Sequence, residues 1–153
     1  MAVAAHVSKV SKDYSPYGYS IMESATATVR TSPAGGGAGD AFSAVLIVPD
    51  DADVYIESID VVPLNTVALH AVDFLIIRCS SFDSGGGDPA DHMTTWQTSA
   101  AGTVADTIYS QTVLNPTRVT RGRWLGMSVG KTSTAAALGD VEVAIHVRYR
   151  RKA

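Results

Sequence analysis

The chain has 153 residues, of which 46% are hydrophobic and 18% charged, and its formal net charge is −3. This length suits one domain with its own hydrophobic core, and the apolar content excludes a largely disordered chain. The low charge favours subunit contacts that bury part of the apolar surface. No apolar run approaches the ~18 residues of a membrane span. The first residues lack the features of a secretory signal, and the single cysteine, Cys79, fits a reducing compartment.

The charges are unevenly distributed along the chain. Residues 40–106 contain eleven acids and one base, a net charge of −10, whereas residues 107–153 contain eight bases and two acids, a net charge of +6. If the fold kept these segments apart, opposite patches would steer one copy onto the next or onto a charged surface. The segments of a sheet protein interleave, however, so the asymmetry need not survive as two faces.

Taken in chain order, the sequence begins with a segment that lacks a hydrophobic period. Residues 1–16 mix polar and apolar side chains and run into a turn at Ser15-Pro-Tyr-Gly18. We therefore expect an N-terminal arm over residues 1–16 and a single domain over residues 17–153.

The rest of the sequence alternates between short apolar strands and turn-rich breaks, as in an all-β protein. In the strand before Pro63 the apolar phase slips at Glu57-Ser58, which predicts a β-bulge. The strand before Cys79 is apolar throughout, which predicts a central strand covered on both sides. The last strand has a clean period of two. The predicted strands span residues 19–29, 44–48, 54–62, 72–79, 103–114, 124–129 and 141–149.

The breaks between these strands are rich in glycine and proline. Two triple-glycine segments, at residues 33–40 and 84–89, suit either flexible loop tips or arms that order against a neighbour. Residues 131–138 suit one helical turn or a long loop equally well. Seven or eight strands at this spacing predict an all-β fold, an antiparallel β-sandwich of the jelly-roll type.

Two short motifs resemble catalytic or phosphate-binding signatures. Gly126-Met-Ser-Val-Gly130 matches the nucleophile elbow, which needs a strand, a strained turn and a helix, with acid and histidine to follow. Here the match lies inside a predicted strand, and only His146 follows. Gly130-Lys-Thr132 resembles the end of a phosphate-binding loop, but Leu125 stands where that loop needs glycine. We therefore predict no catalytic residues.

Two acidic loops are the plausible cation sites. Asp50-Asp-Ala-Asp53 and Asp88-Pro-Ala-Asp-His92 supply carboxylates that suit calcium, but neither has the ligand spacing of an EF-hand. Solvated turn residues at strand ends are the favoured interpretation. The histidines share no metal-ligand spacing, and Cys79 is interpreted as a small buried residue. We predict no metal and no other cofactor.

The chain closes on a basic segment, Arg148-Tyr-Arg-Arg-Lys152. Such a tail suits nucleic-acid phosphates, but the net charge is negative and no stripe of aromatic residues accompanies it. We therefore expect no nucleic acid and no membrane as partner. The tail is expected to be solvated or to pair with acids on a neighbouring subunit, which makes Arg148, Arg150 and Arg151 candidate interface residues.

The second half of the chain resembles a known family. Residues 54–63, Val-Tyr-Ile-Glu-Ser-Ile-Asp-Val-Val-Pro, precede a polar loop and then the central strand. Residues 122–132, Gly-Arg-Trp-Leu-Gly-Met-Ser-Val-Gly-Lys-Thr, precede a small-residue loop and a last strand at 141–150. This succession, over roughly residues 50–150, is similar to small virion proteins of tailed bacteriophages. Arg123-Trp124 departs from that pattern, because an acidic pair more usually follows the glycine.

The resemblance implies a jelly-roll structural protein of the virion, such as a capsid decoration (cement) protein or a head-fibre base. Such proteins are typically trimers at capsomer junctions. The implied partners are further copies of the chain and the major capsid protein, and the implied location is the capsid surface after synthesis in the host cytoplasm. Tyr14, Tyr17 and Tyr19 are then candidate anchors in the arm; local packing at the first strand is an equal alternative.

Other functions compete with this interpretation. A carbohydrate- or receptor-binding β-sandwich of a head fibre or tail would need exposed aromatic residues over a groove, and Trp96 with Asp91 and Gln97 is a thin cluster of that kind. A small β-barrel enzyme is disfavoured, because the sequence lacks the histidine–glutamate metal set of cupins. A tailed-phage major capsid protein is disfavoured, because no long helix is predicted.

Overall fold

The computed structural model describes residues 22–30, 42–68, 71–132, 138 and 141–152, and β-strands are the regular structure of these ranges. No helix in this part of the chain is long and apolar enough to cross a membrane. The predicted N-terminal arm and the first glycine-rich segment lie outside the described residues. The strands are β1 (Met22–Arg30), β2 (Ser43–Ile47), β3 (Asp53–Pro63), β4 (Leu75–Phe82), β5 (Ala90–Asp91), β6 (Trp96–Gln97), β7 (Tyr109–Gln111), β8 (Arg118–Val119), β9 (Trp124–Lys131) and β10 (Glu142–Lys152).

The strands form two antiparallel sheets. One has the order β1-β10-β3-β7, with β8 also paired to β3, and the other has the order β2-β9-β4-β5, with β6 also paired to β4. If β5 with β6, and β7 with β8, each count as one interrupted strand, the described residues have eight strand positions in the orders 1-8-3-6 and 2-7-4-5. The predicted all-β sandwich is confirmed. The jelly-roll subtype stays an interpretation, which this eight-position order supports.

The hydrophobic core lies between the two sheets, where alternate residues of each strand face inward. In β10 the inward residues are fully buried, while those between them are half-buried or exposed. Each fully buried aliphatic side chain contributes about 1.5–3 kcal/mol by leaving water, so this layer holds the sheets together. Its largest members in β4, β9 and β10 are Leu75, Ile77, Leu125, Met127, Ile145 and Tyr149.

The β-bulge predicted at Glu57-Ser58 is confirmed in the pairing of β3 with β10. Two consecutive residues of β10 lie opposite Ser58 and Ile56, so Glu57 has no opposite residue. Ile56 and Ile59 are both buried although two residues lie between them, a spacing that would put them on opposite faces of a regular strand. The extra residue returns the strand to the correct phase, and both isoleucines remain on the core side.

The central strand predicted over residues 72–79 lies three residues further along the chain, as β4. Thr132 binds the backbone at the start of the predicted range. Its Oγ1 donates to the Val72 carbonyl at 2.6 Å and accepts from the Phe74 N–H at 3.3 Å, so these backbone groups are bonded outside the sheet. The prediction that both faces are covered is wrong near the start of β4, where Ile76 is only half-buried.

The prediction of a single strand over residues 103–114 is also wrong, because β7 is the only strand that forms within that range. Asp106 has a left-handed backbone with φ 58°, which interrupts an extended strand. Val104 and Ile108 on either side of it are exposed. The apolar residues that suggested a strand therefore lie in a surface loop.

The second triple-glycine segment forms a closed turn between β4 and β5. The Asp83 carboxylate accepts the N–H groups of Gly85 at 3.0 Å and Gly87 at 2.7 Å, and the Asp83 carbonyl accepts the Gly86 N–H at 3.0 Å. Gly86 has φ 81°, a conformation that favours glycine. The turn is thus organised by its own hydrogen bonds and is neither an extended arm nor a loose tip.

Candidate interaction surfaces

The loops of the sandwich lie at two ends with different chemistry. Because paired strands are antiparallel, residues 48–52, 83–89 and 120–123 lie at one end, which we call the charged end. Residues 64–68, 71–74 and 98–108 lie at the opposite end, which we call the apolar end. The names reflect the acidic and basic residues of the first set and the exposed aliphatic residues of the second.

At the charged end, Asp53 joins two neighbouring segments. Its carboxylate accepts the Arg121 backbone N–H at 3.0 Å and lies 2.6 Å from Arg118 Nη2. The hydrogen bond from the Arg121 N–H and the charge of Arg118 hold the pKa of Asp53 below its usual value. The first acidic loop therefore supplies an ion-pair partner for β8.

Arg123 organises the second acidic loop. Its Nη1 lies 2.9 Å from the Asp88 carboxylate, and its Nη2 donates to the Asp88 carbonyl and, at 3.2 Å, to the Ser81 carbonyl. The position that departs from the phage pattern thus has defined partners within the chain. Among the described residues, no three His, Cys, Asp or Glu side chains lie close enough together to hold a metal ion.

These contacts pair acids of the negatively charged middle segment with arginines of the positively charged C-terminal segment. Asp53 and Asp88, from the acidic middle segment, pair with arginines of the basic C-terminal segment, and Glu57 pairs with Arg150 at 2.9 Å. The two segments interleave across strands that are neighbours in the sheets. Much of the opposite charge is therefore brought together inside one molecule.

The C-terminal arginines lie on β10 and contact the two strands beside it. Arg148 Nε donates to Ser58 Oγ at 2.8 Å, and Arg151 Nε lies 3.1 Å from the Glu23 carboxylate. Glu23 also accepts the Tyr149 hydroxyl at 2.9 Å. Burial and the Glu23 carboxylate raise the pKa of Tyr149 to about 12. The acids that pair with Arg150 and Arg151 belong to the same chain; contact of these residues with a neighbouring subunit stays a prediction.

A row of polar residues crosses the outer face of the first sheet. Thr26, His146, Asp60 and Ser110 are directly opposite one another on β1, β10, β3 and β7. Thr26 Oγ1 and His146 Nδ1 are hydrogen-bonded at 3.0 Å, and Ser110 donates to Asp60 at 2.6 Å. The sequence did not reveal this row, because its members are up to 120 residues apart along the chain.

Both motif matches have structural roles. Ser128 lies within β9 and is 1% exposed, so its hydroxyl is not accessible to a substrate. Gly126 leaves room for the Trp124 ring, which stacks on Phe82 at 4.5 Å. Lys131 Nζ donates to the Leu138 carbonyl at 2.8 Å, and Thr132 binds the backbone before β4.

Cys79 and His92 are buried neighbours near the charged end. Cys79 is buried, as predicted from the sequence, and this burial, with a further effect from Asp91, raises the pKa of its thiol to about 12. His92 is 1% exposed; its Nε2 and Ser81 Oγ are hydrogen-bonded at 2.9 Å, and its carbonyl accepts the Leu114 N–H at 2.9 Å. His92 therefore joins β4 to the segment before β8.

The apolar end carries four exposed aliphatic side chains. Val72 lies in the segment before β4, and the other three lie on two loops that contact each other. Leu64 is 38% exposed, Val104 60% and Ile108 66%. The two loops, residues 63–67 and 103–109, are paired through their backbones, and we call them the loop pair. The sequence did not reveal this surface, because the same apolar residues also satisfy the pattern of a strand.

Hydrogen bonds at four places fix the backbone of the loop pair. Val67 and Thr103 exchange backbone hydrogen bonds at 3.0 and 2.8 Å, and the Asp106 N–H donates to the Pro63 carbonyl at 2.8 Å. The Ala105 N–H donates to Thr66 Oγ1 at 3.2 Å, and the Val104 N–H donates to the Tyr109 hydroxyl at 2.9 Å. The exposed side chains thus project from a fixed backbone.

The residues considered for carbohydrate binding are spread along the outer edge of β4. Trp96 is half-buried against the core, and its ring lies 5.0 Å from the Tyr109 ring. Asp91 accepts the Ser80 hydroxyl at 2.6 Å. Asp91 pairs with Ser80 and Trp96 with Ile77, so about 10 Å of strand separates them. The candidate anchors Tyr14, Tyr17 and Tyr19 lie outside the described residues.

Comparison with known proteins gives one informative likeness. No protein-family model and no curated protein matches the sequence. Among solved structures, the chain resembles a chain of the "Cyanophage Pam1 capsid asymmetric unit", with a TM-score of 0.57 and 16% sequence identity. The alignment covers 94% of this chain and 93% of that chain, so the two have similar lengths. At this identity the likeness shows a shared fold over nearly the whole chain.

Proposed function

We propose that this protein is a non-enzymatic structural component of a bacteriophage virion. It binds the outer surface of the capsid as a decoration, or cement, protein, and it assembles with further copies of itself as a trimer. The observation that carries the proposal is the fold shared, over 94% of the chain, with a chain of a cyanophage capsid asymmetric unit.

Several features of the chain agree with this role. The phage-like segment at residues 54–63 forms nearly all of β3, and the one at residues 122–132 contains the whole of β9 with the turn before it. Both strands belong to the sandwich itself. Ser128, in the motif that most resembles a catalytic one, is buried. The surplus of apolar over charged residues suits a protein that works in an assembly, where contacts cover part of its surface.

The proposal is tested by adding purified protein to capsids assembled without it. Bound protein is measured by co-sedimentation, and capsid stability by the temperature at which the shell releases its contents. We expect saturable binding and a higher release temperature. An unrelated β-sandwich protein of similar size and charge is the control; binding no stronger than this control would refute the proposal.

Self-assembly is tested on the free protein. Light scattering should give the mass of a trimer, because subunit contacts then cover the surplus apolar surface. A strict monomer at micromolar concentration would remove the trimer from the proposal and leave capsid binding to be judged by co-sedimentation.

A further inference from the structure

We propose that the loop pair, residues 63–67 and 103–109, is the surface that seats this protein on the capsid shell. The inference rests on the proposed function and adds the contact surface and its chemistry. The matching area on the shell protein is apolar, with a lysine or arginine at its edge.

The first argument is the exposure of aliphatic side chains. Val104 and Ile108 are more than half exposed and lie on the same loop, and Leu64 follows the proline that binds this loop through Asp106. Aliphatic side chains that lie together on a surface mark contact sites more reliably than single ones. Covering them removes apolar area from water, which is the main favourable contribution to most protein association.

The second argument is that this surface is ordered before it binds. The backbone bonds between Val67 and Thr103, and the bond from the Val104 N–H to Tyr109, hold the loops in place. The Tyr109 ring in turn contacts Trp96, which packs on the core. A contact surface that is already fixed loses little conformational entropy on binding.

The third argument is the charge beside the apolar side chains. Asp106 is exposed and lies between Val104 and Ile108 in sequence. Its left-handed backbone, φ 58°, is uncommon for a residue other than glycine and is held by the bond from its N–H to Pro63. This conformation keeps a carboxylate at the surface next to aliphatic groups. A basic side chain of the partner would satisfy it.

The charge of Asp106 also favours the capsid shell, rather than a second copy of this chain, as the partner that binds the loop pair. Copies that met through their loop pairs, around a twofold or a threefold axis, would bring their Asp106 carboxylates together, and like charges repel. At the charged end of another copy, Arg118 and Arg123 already pair with Asp53 and Asp88, which weakens their attraction for Asp106.

The test compares matched variants in the capsid co-sedimentation assay. The double variant Val104→Thr, Ile108→Thr keeps the branched shape at Cβ but makes the surface polar. Ile47→Thr is the control, because Ile47 is 75% exposed on β2 and lies beside the charged end. We expect the double variant to bind about tenfold more weakly or worse, and the control to bind within about twofold of the natural protein.

A third variant, Asp106→Asn, tests the charge. Asparagine tolerates the left-handed conformation, so this change removes the carboxylate without a new backbone requirement. We expect weaker binding at low ionic strength and a smaller loss of affinity as salt is added. Thermal unfolding of all three variants should stay close to that of the natural protein, since the substituted side chains are exposed.

The outcomes separate this inference from the proposed function. Failure of the natural protein to bind capsids would refute the proposed function. If the natural protein binds and the double variant binds equally well, the loop pair is not the contact surface, while the proposed function stands. If the double variant instead dissociates the free protein into smaller species in light scattering, the occupant is a second copy, and the shell assignment is wrong.

Discussion

His92 shows how a single buried polar side chain links pH to the stability of this fold. Burial lowers its pKa, and the charge of Arg123 acts in the same direction; the nearby Pro116 carbonyl and the charge of Asp91 act in the opposite direction. Ser81 is its hydrogen-bond partner. The folded protein therefore keeps this histidine neutral at pH values where the unfolded chain protonates it.

The sign of the pH effect follows from that difference. As the pH falls through about 6.5, the usual pKa of histidine in an unfolded chain, the unfolded state takes up a proton that the folded state does not. The stability from neutral His92 is fully present above this pH and is lost as the pH falls towards the folded-state pKa. Denaturant unfolding from about pH 7 to about pH 5 should show a steeper loss for the natural protein than for His92→Gln. Identical slopes would contradict the argument.

Gly126 is a second residue whose identity affects stability, because the space beside it does not accommodate a Cβ atom. A Cβ there would lie 2.5 Å from Trp124 Cζ3 and 3.1 Å from Phe42 Cβ, so the Phe42–Phe82–Trp124 cluster would have to shift. We expect Gly126→Ala to lower the free energy of unfolding by about 1–3 kcal/mol.

Gly85→Ala is the matched control for this prediction. A Cβ at Gly85 would meet only Asp83 Oδ1, at 3.5 Å, which is ordinary contact. This variant should change the free energy of unfolding by about 0.5 kcal/mol or less. Equal stability of the two variants in chemical denaturation would show that the aromatic cluster does not confine Gly126.

At the scale of elements, the hydrophobic period of the sequence predicted those strands that pack one face on the core. β10 and the bulge of β3 follow from alternation and its interruption, because one face of each strand packs on the core. The failure at residues 103–114 has a physical cause: Asp106 can adopt a left-handed backbone without any glycine or proline to signal it. β5, β6 and β8 are each two residues long, too short to show a period.

Most contacts of the candidate surfaces could not be predicted, because they depend on pairing between segments that are distant in the sequence. Val104 and Ile108 look like core residues in the sequence, and only the pairing of residues 103–109 with residues 63–67 makes them exposed. The partners of the charged residues were equally hidden. Arg150 meets Glu57 only because β10 lies beside β3, which no local pattern specifies.

The loop pair makes a prediction at the element scale. Tyr109→Phe removes the hydroxyl that accepts the Val104 N–H while keeping the ring against Trp96. We expect faster hydrogen exchange at the Val104 amide and a loss of about 0.5–1.5 kcal/mol in the free energy of unfolding. The Asp106 amide, bonded to Pro63, is the internal reference. Unchanged exchange at Val104 would mean that the Tyr109 hydroxyl does not fix this loop.

For the whole molecule, the net charge of −3 hides two segments of −10 and +6, and the fold brings them together. Asp53 with Arg118 and Asp88 with Arg123 are pairs of this kind. They are partly exposed, so each contributes little stability and is screened by salt. Their main effect is on the surface, because each pair brings opposite charges together within one molecule.

The central claim is that this chain is a structural part of a virion. Its most direct test uses purified particles of a phage whose genome carries the gene for this chain. The copy number of the chain is measured by quantitative mass spectrometry against the main shell protein. A decoration protein occupies equivalent lattice positions, so we predict a fixed, simple ratio that is the same in independent preparations. Absence from the particles, or a trace amount that varies between preparations and washes away, would contradict the claim.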